Sequence, residues 1–572
     1  MRLPPPHLLL PLLLALPELS AAVSSILGID LGQEYIKAAL VKPGIPIEIV
    51  LTKDSRRKEA SAIGFKSSRL AASQEGYSYP DRLYGVDAAN LAARFPREVY
   101  PNLKQLLGKH ILDDSILEYA ARYPVLNILP SGGRPTTSFQ SMSSPPGGNG
   151  EQAFTVEELL AMQLSNIQKN ALTLAAEKGK PGNIGGVVFS IPAWFTAEEK
   201  YSLQLATEMV GLTVLAMVSD GLAVGINYAT GRTFSPDEKP ETHVIYDMGA
   251  GSTTATVVKF EGKSVKDWGR YKKNITEVSV LGAGWDTGLG GDLFNKKIAE
   301  HLLNEFIETP KAKKLDETES ARKELVRLNG RSAAKIWREA SKARHVLSAN
   351  SEVYVSIESL YEDIDYKSSK ITRAQFEEWI EEYADRVTKP LHQALESAGL
   401  TLDGIDSIIF HGGGVRVPWV GKLLENLVGE GKISKTVNPD EAAVMGATFR
   451  GAALSGSFRV KEIVVNDINT YGVSAKYKKD ASSQKGIGTH SHASPVIQVE
   501  LIIQLNSYRN HPNNLPSHFP HRRRENLPPQ AHGGLYLYPG AFNPSLRQGT
   551  PYRAHHKRDY KKPHRHSCKA RY

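Results

Sequence analysis

The sequence contains one cysteine, Cys568, so no disulfide bond can form within the chain and the fold must rely on its apolar core. After residue 22 it also lacks any run of about 18 consecutive apolar residues, which argues against a membrane-spanning helix. Two common phosphate-binding motifs are missing as well. No Gly-Lys-Ser/Thr directly follows a glycine-rich turn, and no G-x-G-x-x-G opens a helix after the first apolar strand. A phosphate site in this chain must therefore be built differently.

The body of the chain also lacks an excess of basic charge. The whole sequence carries +9, but residues 481–572 hold 14 Lys and Arg against 3 Asp and Glu, a balance of +11. The remaining residues therefore sum to −2 and give no electrostatic reason to expect a nucleic-acid partner. The same last segment is rich in His and Pro and shows almost no hydrophobic periodicity, so we predict a disordered basic tail at 481–572.

The first 22 residues are typical of a secretory signal peptide. Arg2 precedes an apolar core at 8–16, and small residues at 20–22 form a cleavage site. The alternative, an uncleaved membrane anchor, fits poorly with a short run interrupted by prolines. We expect a lumenal protein with no membrane partner, although the last five residues do not form a lumenal retrieval signal.

Two strand–turn–strand segments share an unusual shape. Residues 26–32 and 244–252 each combine a buried-type strand, an aspartate (Asp30 or Asp247) and a glycine turn. A third strand at 408–411 runs into three glycines. Backbone N–H groups in such turns can bind phosphate. Because residues 23–465 alternate strand and helix signals, we predict an α/β fold with a duplicated, two-lobed nucleotide clamp.

Asp30 and Asp247 are placed to hold a magnesium ion through water. Aspartates at strand ends are more often turn formers, but two in matching contexts favour a functional role. Beyond these turns, the charge and hydrophobic patterns predict amphipathic helices at 320–348 and at 373–398.

These motifs resemble those of the DnaK-type (70 kDa heat-shock) chaperone family. In the family's order, the matching segments are 28–32, 245–252, 282–292, 412–418 and 438–442. Each motif alone is weak, whereas five in register are specific. The resemblance covers about residues 25–465 and implies the actin-like, two-lobed ATPase fold, with ATP or ADP and Mg²⁺ as cofactors.

The resemblance also implies roles for individual residues. Lys104 matches the lysine that orients the attacking water, and an ordinary surface lysine is the alternative. Asp30, Asp247 and Asp220 complete the implied catalytic set, and the first two would hold the metal through water. The implied nucleotide-binding residues are Gly32, Gln33, Glu34, Tyr35, Gly249, Ala250, Gly251, Ser252, Thr253, Ser341, Arg344, His345, Ser348, Gly412, Gly413, Gly414, Arg416 and Asp440.

The sequence departs from the family at several of these positions. The family follows its first glycine with two threonines, where this chain has Gln33 and Glu34. Asp220 stands in place of the usual hinge glutamate. Ser341 and His345 replace a glutamate and an arginine, so the adenine contacts are altered. Hydrolysis depends on positioning and electrostatic stabilisation, so we expect a weak ATPase at most, with nucleotide binding less affected.

A signal peptide, a replaced threonine pair and a retained cradle resemble the large ER branch of the family, the hypoxia-up-regulated or 170 kDa glucose-regulated type. The resemblance implies an ATP-binding chaperone that exchanges nucleotide on the conventional ER DnaK-type chaperone. The client-binding domain would follow the linker, but after about residue 480 it is absent or replaced, so we expect it to be truncated or altered and client binding to be doubtful. Alternatives are a sugar-type kinase of the same fold and a non-catalytic ATP-bound scaffold.

We therefore predict four segments: a signal peptide at 1–22, an actin-like nucleotide-binding domain at 23–465, a linker with a remnant of the substrate-binding domain at 466–480, and the tail at 481–572. Asn274 lies in an N-x-Thr sequon and is a candidate for glycosylation.

Overall fold

The computed structural model describes residues 25–66, 80–131, 134–141, 153–177, 182–267, 271–471, 473–475 and 499–501. The predicted signal peptide and nearly all of the predicted tail lie outside these residues. All described residues belong to one compact unit, which spans 1–509. Among them, no helix is both long and apolar enough to cross a membrane.

The first lobe contains the elements up to residue 219. Its strands are β1 (Ser25–Leu31), β2 (Tyr35–Lys42), β3 (Ile45–Ile49), β4 (Glu59–Ala60), β5 (Ala62–Lys66), β6 (Asp81–Tyr84), β7 (Val99–Pro101), β8 (Ile128–Pro130), β9 (Thr137–Gln140), β10 (Ala153–Thr155), β11 (Ile184–Ile191) and β12 (Val214–Ser219). Its helices are α1 (Gly85–Leu91), α2 (Asp114–Arg122), α3 (Val156–Glu177) and α4 (Ala197–Glu208).

The elements after residue 219 form the second lobe and the connections back to the first. The helices are α5 (Asp220–Thr230), α6 (Gly291–Ile307), α7 (Glu319–Leu328), α8 (Gly330–Ala349), α9 (Arg373–Ile380), α10 (Ala384–Ala398), α11 (Pro418–Val428) and α12 (Ala442–Ser455). The strands are β13 (Glu241–Met248), β14 (Thr253–Lys266), β15 (Lys272–Asp286), β16 (Glu352–Tyr361), β17 (Ile364–Thr372), β18 (Ser407–His411), β19 (Ile433–Ser434), β20 (Ile463–Asn466), β21 (Val473–Ala475) and β22 (Val499–Leu501).

The two large sheets repeat one topology. The first has the order β12-β11-β1-β2-β3, and the second contains the order β19-β18-β13-β14-β15. In each, the central strand pairs antiparallel with the strand that follows it and parallel with a strand reached by a long crossover. The two-lobed α/β architecture predicted from the sequence is therefore confirmed. β20 adds a parallel edge to the second sheet, and β21 pairs with β22, which lies within the predicted tail.

Local sequence accounts for the central elements. All seven residues of β1 are buried, as expected for a strand covered on both faces. α3 begins with a capping box, in which Thr155 Oγ1 accepts from the N–H of Glu158 and the Glu158 carboxylate accepts from the N–H of Thr155. Its apolar stripe packs into the core of the first lobe.

Two helices connect the lobes at the centre of the molecule. α12 packs on β1, β2 and β11 of the first sheet, α5 packs on β14 and β15 of the second, and the two helices contact each other. The crossing is close, because a Cβ atom on Gly446 would collide with the carbonyl oxygen of Ala223. Glycine at this position thus sets the distance between the two lobes.

The long helices predicted at 320–348 and 373–398 are each divided. The first breaks at Asn329, whose backbone is extended and whose side-chain oxygen accepts from the N–H groups of Arg331 and Ser332, so it starts a new helix, α8. The second is interrupted by a short 3₁₀ turn at Glu381–Tyr383 between α9 and α10. Hydrophobic periodicity alone did not reveal either break.

Candidate nucleotide-binding site

The first predicted phosphate turn lies between β1 and β2. A Cβ atom on Gly32 would collide with the carbonyl oxygen of Tyr35, so the turn requires glycine. Just before it, Asp30 accepts hydrogen bonds from Lys37 Nζ at 2.7 Å and from Ser190 Oγ at 3.0 Å. Burial alone would raise the pKa of Asp30, but the positive charges nearby, chiefly Lys37 with Lys104 and His411, together hold it below its usual value. Asp30 is therefore a buried, charged acceptor at the base of the turn.

The second predicted turn lies between β13 and β14 and is docked onto the start of α6. The N–H of Gly249 donates to the carbonyl of Ser252 at 2.9 Å. The N–H groups of Gly291 and Asp292, at the start of α6, donate to the carbonyls of Gly249 and Ala250. Thr253 Oγ1 donates to the carbonyl of Leu289 at 2.9 Å. Hydrogen bonds to the start of α6 thus fix the carbonyl groups of this turn in position.

The third turn follows β18 and lies against Asp247. Gly412 has φ +83°, and a Cβ atom there would collide with Asp247 Oδ1 and with the carbonyl of Met248. His411 Nδ1 lies 3.0 Å from Asp247 Oδ2, close enough for an ion pair. Burial would lower the pKa of His411, but Asp247 outweighs it and raises that pKa, while the pKa of Asp247 is held down mainly by His411.

The first and second turns face each other across the cleft between the lobes. A Cβ atom on Gly251 would lie 3.0 Å from Cγ of Gln33. The side-chain nitrogen of Gln33 is buried and has no hydrogen-bond partner among the described residues, which leaves a donor available. The cleft holds a cavity of about 1690 Å³, whose lining includes Glu34, Tyr35, Lys37, Gly251, Ser341, His345 and Asp440.

Asp220 is the first residue of α5, where Ser219 caps the helix by accepting from the N–H of Leu222. Its Oδ1 atom is buried without a hydrogen-bond partner in the described part of the chain. Burial raises the pKa of Asp220 to about 7, Lys104 opposes that rise, and Asp247 and Asp30 add to it. The structure therefore brings four predicted catalytic residues into one electrostatic neighbourhood. The ammonium of Lys104 also lies 5.8 Å from the ring centroid of Phe195.

Glu34, which replaces a family threonine, lies beside a cross-lobe ion pair. Burial and the nearby Asp292 raise the pKa of Glu34, whereas Arg344 and Arg122 lower it. Arg122 of α2 donates to Asp292 of α6 at 2.7 Å, and its guanidinium lies 3.7 Å from the ring centroid of Trp337. The negative charge expected at position 34 is thus partly suppressed by burial and partly balanced by two arginines.

The residues implied to hold the adenosine are divided between the cavity and the protein interior. Ser341 and His345 line the cavity, and burial lowers the pKa of His345 to about 4, so the imidazole is neutral at pH 7. Arg344 is buried and its Nε donates to Asn295 Oδ1 at 2.7 Å. Ser348 Oγ donates to the carbonyl of Arg344 at 3.0 Å. Arg344 and Ser348 therefore use these groups in contacts within the protein.

Asp440 joins the third turn to the first lobe. Its Oδ2 atom accepts from Arg416 at 2.6 Å, and its Oδ1 atom lies 3.7 Å from Lys58 Nζ. Gly413 is open, since a Cβ atom there would meet nothing within 4 Å, so this part of the turn has room for a ligand. The carbonyl of Pro439 accepts from the N–H of Gly412, which fixes the closing motif against the turn.

The predicted magnesium ion can be compared with these contacts. The described residues include no group of three or more His, Cys, Asp or Glu side chains arranged to hold a metal directly. Asp30 and Asp247 each have a basic side chain within 3.0 Å, so much of their charge is already balanced. The residues thus do not fit a directly ligated divalent ion, and magnesium held through water stays a prediction.

The sequence reasoning missed Lys37, His411 and Arg122. A signal for Lys37 was present, because in a hairpin with a short turn the residue seven positions after Asp30 can lie directly across from it, as the register shows. His411 occupies in β18 the position beside Asp247, as Ser190 in β11 lies beside Asp30. Arg122 and Asp292 are 170 residues apart, and no local pattern joins them.

Comparisons with known proteins agree with this geometry. The family model described as Hsp70 protein matches residues 26–497. The chain is 38% identical over 454 residues to Heat shock protein 70 homolog lhs1 of Schizosaccharomyces pombe, which covers 79% of this chain and 49% of that protein. It is 34% identical over 482 residues to Hypoxia up-regulated protein 1 of Danio rerio, covering 84% and 45% of the two chains.

The human Hypoxia up-regulated protein 1 is likewise 34% identical over 473 residues, covering 83% of this chain and 44% of that protein. This chain therefore spans about half the length of these relatives. The family model covers more than half of the chain and the two sheets repeat one topology. The chain belongs to the Hsp70 family and has its actin-like, two-lobed ATPase fold.

Proposed function

We propose that this protein is an ER chaperone of the Hsp70 type that binds ATP and ADP between its lobes and promotes nucleotide exchange on the conventional ER DnaK-type chaperone. The observation that carries the proposal is the approach of two glycine turns, from duplicated sheets, across a large cavity. Cγ of Gln33 in one turn would lie 3.0 Å from a Cβ atom on Gly251 in the other, and the buried side-chain nitrogen of Gln33 has no partner among the described residues. A polyphosphate between the turns would supply that donor's missing acceptor.

Each part of the site has a separate task in this proposal. Backbone N–H groups of the first and second turns bind the phosphates. Gly413 leaves room for the nucleoside, and Ser341 with a neutral His345 contacts its base. Lys104 and Asp220 orient an attacking water molecule, and Asp220 accepts its proton, because a pKa of about 7 suits a general base. If bound, magnesium would add charge neutralisation on the phosphates.

Hydrolysis is expected to be slow. The hydroxyl groups that the family places after its first glycine are replaced by the amide of Gln33 and the carboxyl of Glu34. An amide can donate to phosphate, but a carboxylate beside phosphate is repulsive unless it is protonated or paired. Arg344 and Arg122 weaken that repulsion by supplying nearby positive charge. Nucleotide binding is therefore retained better than turnover.

The ER assignment and the partner rest on the relatives and on the sequence. The similarity to Hypoxia up-regulated protein 1 and lhs1 over most of this chain supports a common chaperone role. The signal-peptide pattern at 1–22 supports a location in the lumen. Asn274 is exposed on β15, which makes it accessible to glycosylation.

A direct assay tests this function. The whole chain is mixed with a conventional ER DnaK-type chaperone that carries fluorescent ADP, and release of the label is followed with and without ATP on the added chain. We expect ATP-dependent acceleration. Lys313→Ala, at an exposed position after α6 and outside the cavity lining, serves as a matched surface control and should accelerate release equally. Proven ATP binding without acceleration would overturn the exchange role.

The kinase alternative is supported by one observation: the buried Oδ1 atom of Asp220 has no hydrogen-bond partner among the described residues, and burial raises the pKa of this carboxyl group to about 7. A sugar kinase requires such a base facing a hydroxyl group. ATP consumption that rises with one member of a sugar panel, and falls in Asp220→Asn, would favour the kinase. ATP binding with no phosphate release under any condition would favour the non-catalytic scaffold.

A further inference from the structure

Lys37 is a cation within the proposed phosphate site to which the proposed function assigns no contact with the nucleotide. It lies on β2, lines the cavity between the lobes, and has a side chain that is 13% exposed. Its ammonium donates to Asp30 Oδ2 at 2.7 Å, and Asp30 is its only hydrogen-bond partner among the described residues. An ammonium group has three donors, so two of them are available to another acceptor.

The backbone fixes where this ammonium lies. β1 and β2 pair antiparallel with Asp30 directly opposite Lys37, and the turn that joins them is the first phosphate turn. Lys37 therefore follows Tyr35, the first residue of β2 after the turn, by two positions and lies on the same face of the strand. Its neighbours Ile36 and Ala38 point to the opposite face and pack into the core of the first lobe. The ion pair with Asp30 holds the ammonium at the cavity wall.

The charge around the cavity makes such a cation useful. Asp30, Asp220, Asp247 and Glu34 are carboxyl groups in or near the site, and a polyphosphate would add several more negative charges. Burying an uncompensated charge is costly, so phosphate bound between the lobes requires positive groups close by. Proteins that depend on a divalent ion obtain that charge from the metal.

We propose that Lys37 is an intrinsic phosphate-binding cation, which supplies in the first lobe part of the positive charge that a divalent metal would otherwise provide. Nucleotide binding to this chain then depends only weakly on magnesium. The inference rests on the proposed function, since it assumes that the cavity binds ATP or ADP. It assigns Lys37 a direct contact with phosphate in addition to its ion pair with Asp30.

The test measures the affinity of the whole chain for fluorescent ADP, in excess Mg²⁺ and in EDTA. For the unsubstituted chain we expect removal of the metal to weaken binding by less than about tenfold. Lys37→Met should weaken binding in EDTA by about tenfold or more, the value of a charge-assisted hydrogen bond, with a smaller loss in Mg²⁺. Lys37→Arg keeps the charge and should retain most of the affinity in EDTA. Lys42→Met, which removes an ammonium that donates to the carbonyl of Ala175, should not change the metal dependence.

Each outcome separates the two proposals. Binding that is lost more than about a hundredfold in EDTA would overturn the role of Lys37 while leaving nucleotide binding intact. Equal affinity of Lys37→Met and the unsubstituted chain in EDTA would overturn it as well. No binding under either condition would reject the proposed function itself. Thermal melts show whether Lys37→Met is folded, and if it is not, the metal dependence of the unsubstituted chain and the Lys37→Arg variant decide.

Discussion

The two lobes have the same strand topology but balance their aspartates differently. Asp30 and Asp247 lie near the ends of the equivalent strands β1 and β13. Each is opposite one residue on the neighbouring parallel strand and one residue on the neighbouring antiparallel strand. In the first lobe the cation is Lys37, on the antiparallel partner. In the second lobe it is His411, on the parallel partner. One lobe thus has a permanent charge and the other a titratable charge at the corresponding place.

The comparison shows that a duplicated strand topology does not determine which side chain balances the aspartate in each lobe. In both lobes a buried carboxylate is placed at the same strand end, where it requires compensation. Several cross-strand positions can provide that compensation, and the lobes use different ones. The four predictions that follow test this difference, beginning with the largest expected effect.

Removing the cation of the first lobe should have the largest effect on stability. Lys37→Met leaves the carboxylate of Asp30 buried without its ion-pair partner, so we expect the free energy of unfolding to fall by about 3–4 kcal/mol in the absence of nucleotide. Urea denaturation measures the change. The double variant Lys37→Met with Asp30→Asn should recover most of the loss, because it removes the unpaired charge. A loss as large in the double variant as in the single one would show that packing, rather than charge, is responsible.

The third turn offers a matched pair of glycines in the second lobe. Gly412→Ala places a Cβ atom against Asp247 at φ +83°, so we expect a loss of about 2–3 kcal/mol in the free energy of unfolding. Gly413→Ala meets open space and should change stability by less than about 0.5 kcal/mol. Denaturation of both variants gives the comparison. If the neighbouring alanine at 413 were equally destabilising, the close approach to Asp247 would not be the cause.

Asp220 belongs to neither pair, and among the described residues no cation lies within hydrogen-bond distance of its carboxyl group. Its pKa is about 7 in the folded chain against 3.8 for an unperturbed aspartate, so the folded protein binds the extra proton between these values. Stability therefore falls as the pH rises from about 4 to 7. Asp220→Asn should raise the free energy of unfolding at pH 8 by roughly 2 kcal/mol and have little effect at pH 4.

Denaturation at the two pH values measures this effect. The exposed Asp403→Asn is the control and should be neutral at both pH values. The same Asp220 variant should release phosphate from ATP more slowly, because the proposed base is lost. A gain in stability that is equal at pH 4 and pH 8 would exclude titration of Asp220 as its origin.

The smallest effect concerns the titratable pair of the second lobe. The pKa of His411 is raised by Asp247, so its contribution is complete below the unfolded pKa of 6.5 and is lost as the pH rises through the folded value. We expect a decrease on the order of 1 kcal/mol above pH 6.5 that disappears in His411→Gln. His345→Gln is the control, since its imidazole is already neutral in this range. A slope unchanged in His411→Gln would contradict the pairing.

Much of the frame could be predicted from the sequence, because it depends on local patterns. The strand–Asp–Gly motif identified both turns, and strand alternation with helix signals indicated an α/β fold in two lobes. Glycine at 32 and 412 is required by backbone geometry that any L side chain would disturb. Each of these features depends on about ten consecutive residues, so it can be predicted from a single sequence.

The partners of the site residues could not be predicted in the same way. The contact of Arg344 with the base stays a prediction, and the structure adds a bond from its Nε to Asn295, 49 residues away on another helix. The carboxylate of Asp292 accepts a hydrogen bond from Arg122 of the other lobe. Such pairs depend on how α6 and α8 pack and on which strand lies beside which. Neither is encoded in hydrophobic periodicity, and the break at Asn329 moved the helix boundaries as well.

The residue that follows the last strand of the second sheet has a mechanical consequence. After β20 the chain turns to the first lobe, where the carboxylate of Asp467 accepts from the N–H of Ser219 at 2.9 Å and from its hydroxyl at 2.7 Å. Thr470 then donates to the carbonyl of Ala193. Ser219 directly precedes Asp220. Tyr471 also donates to the carbonyl of Trp194. Tension applied to the chain at residue 471 would therefore load all of these bonds, and through Ser219 it would reach the residue proposed to activate water.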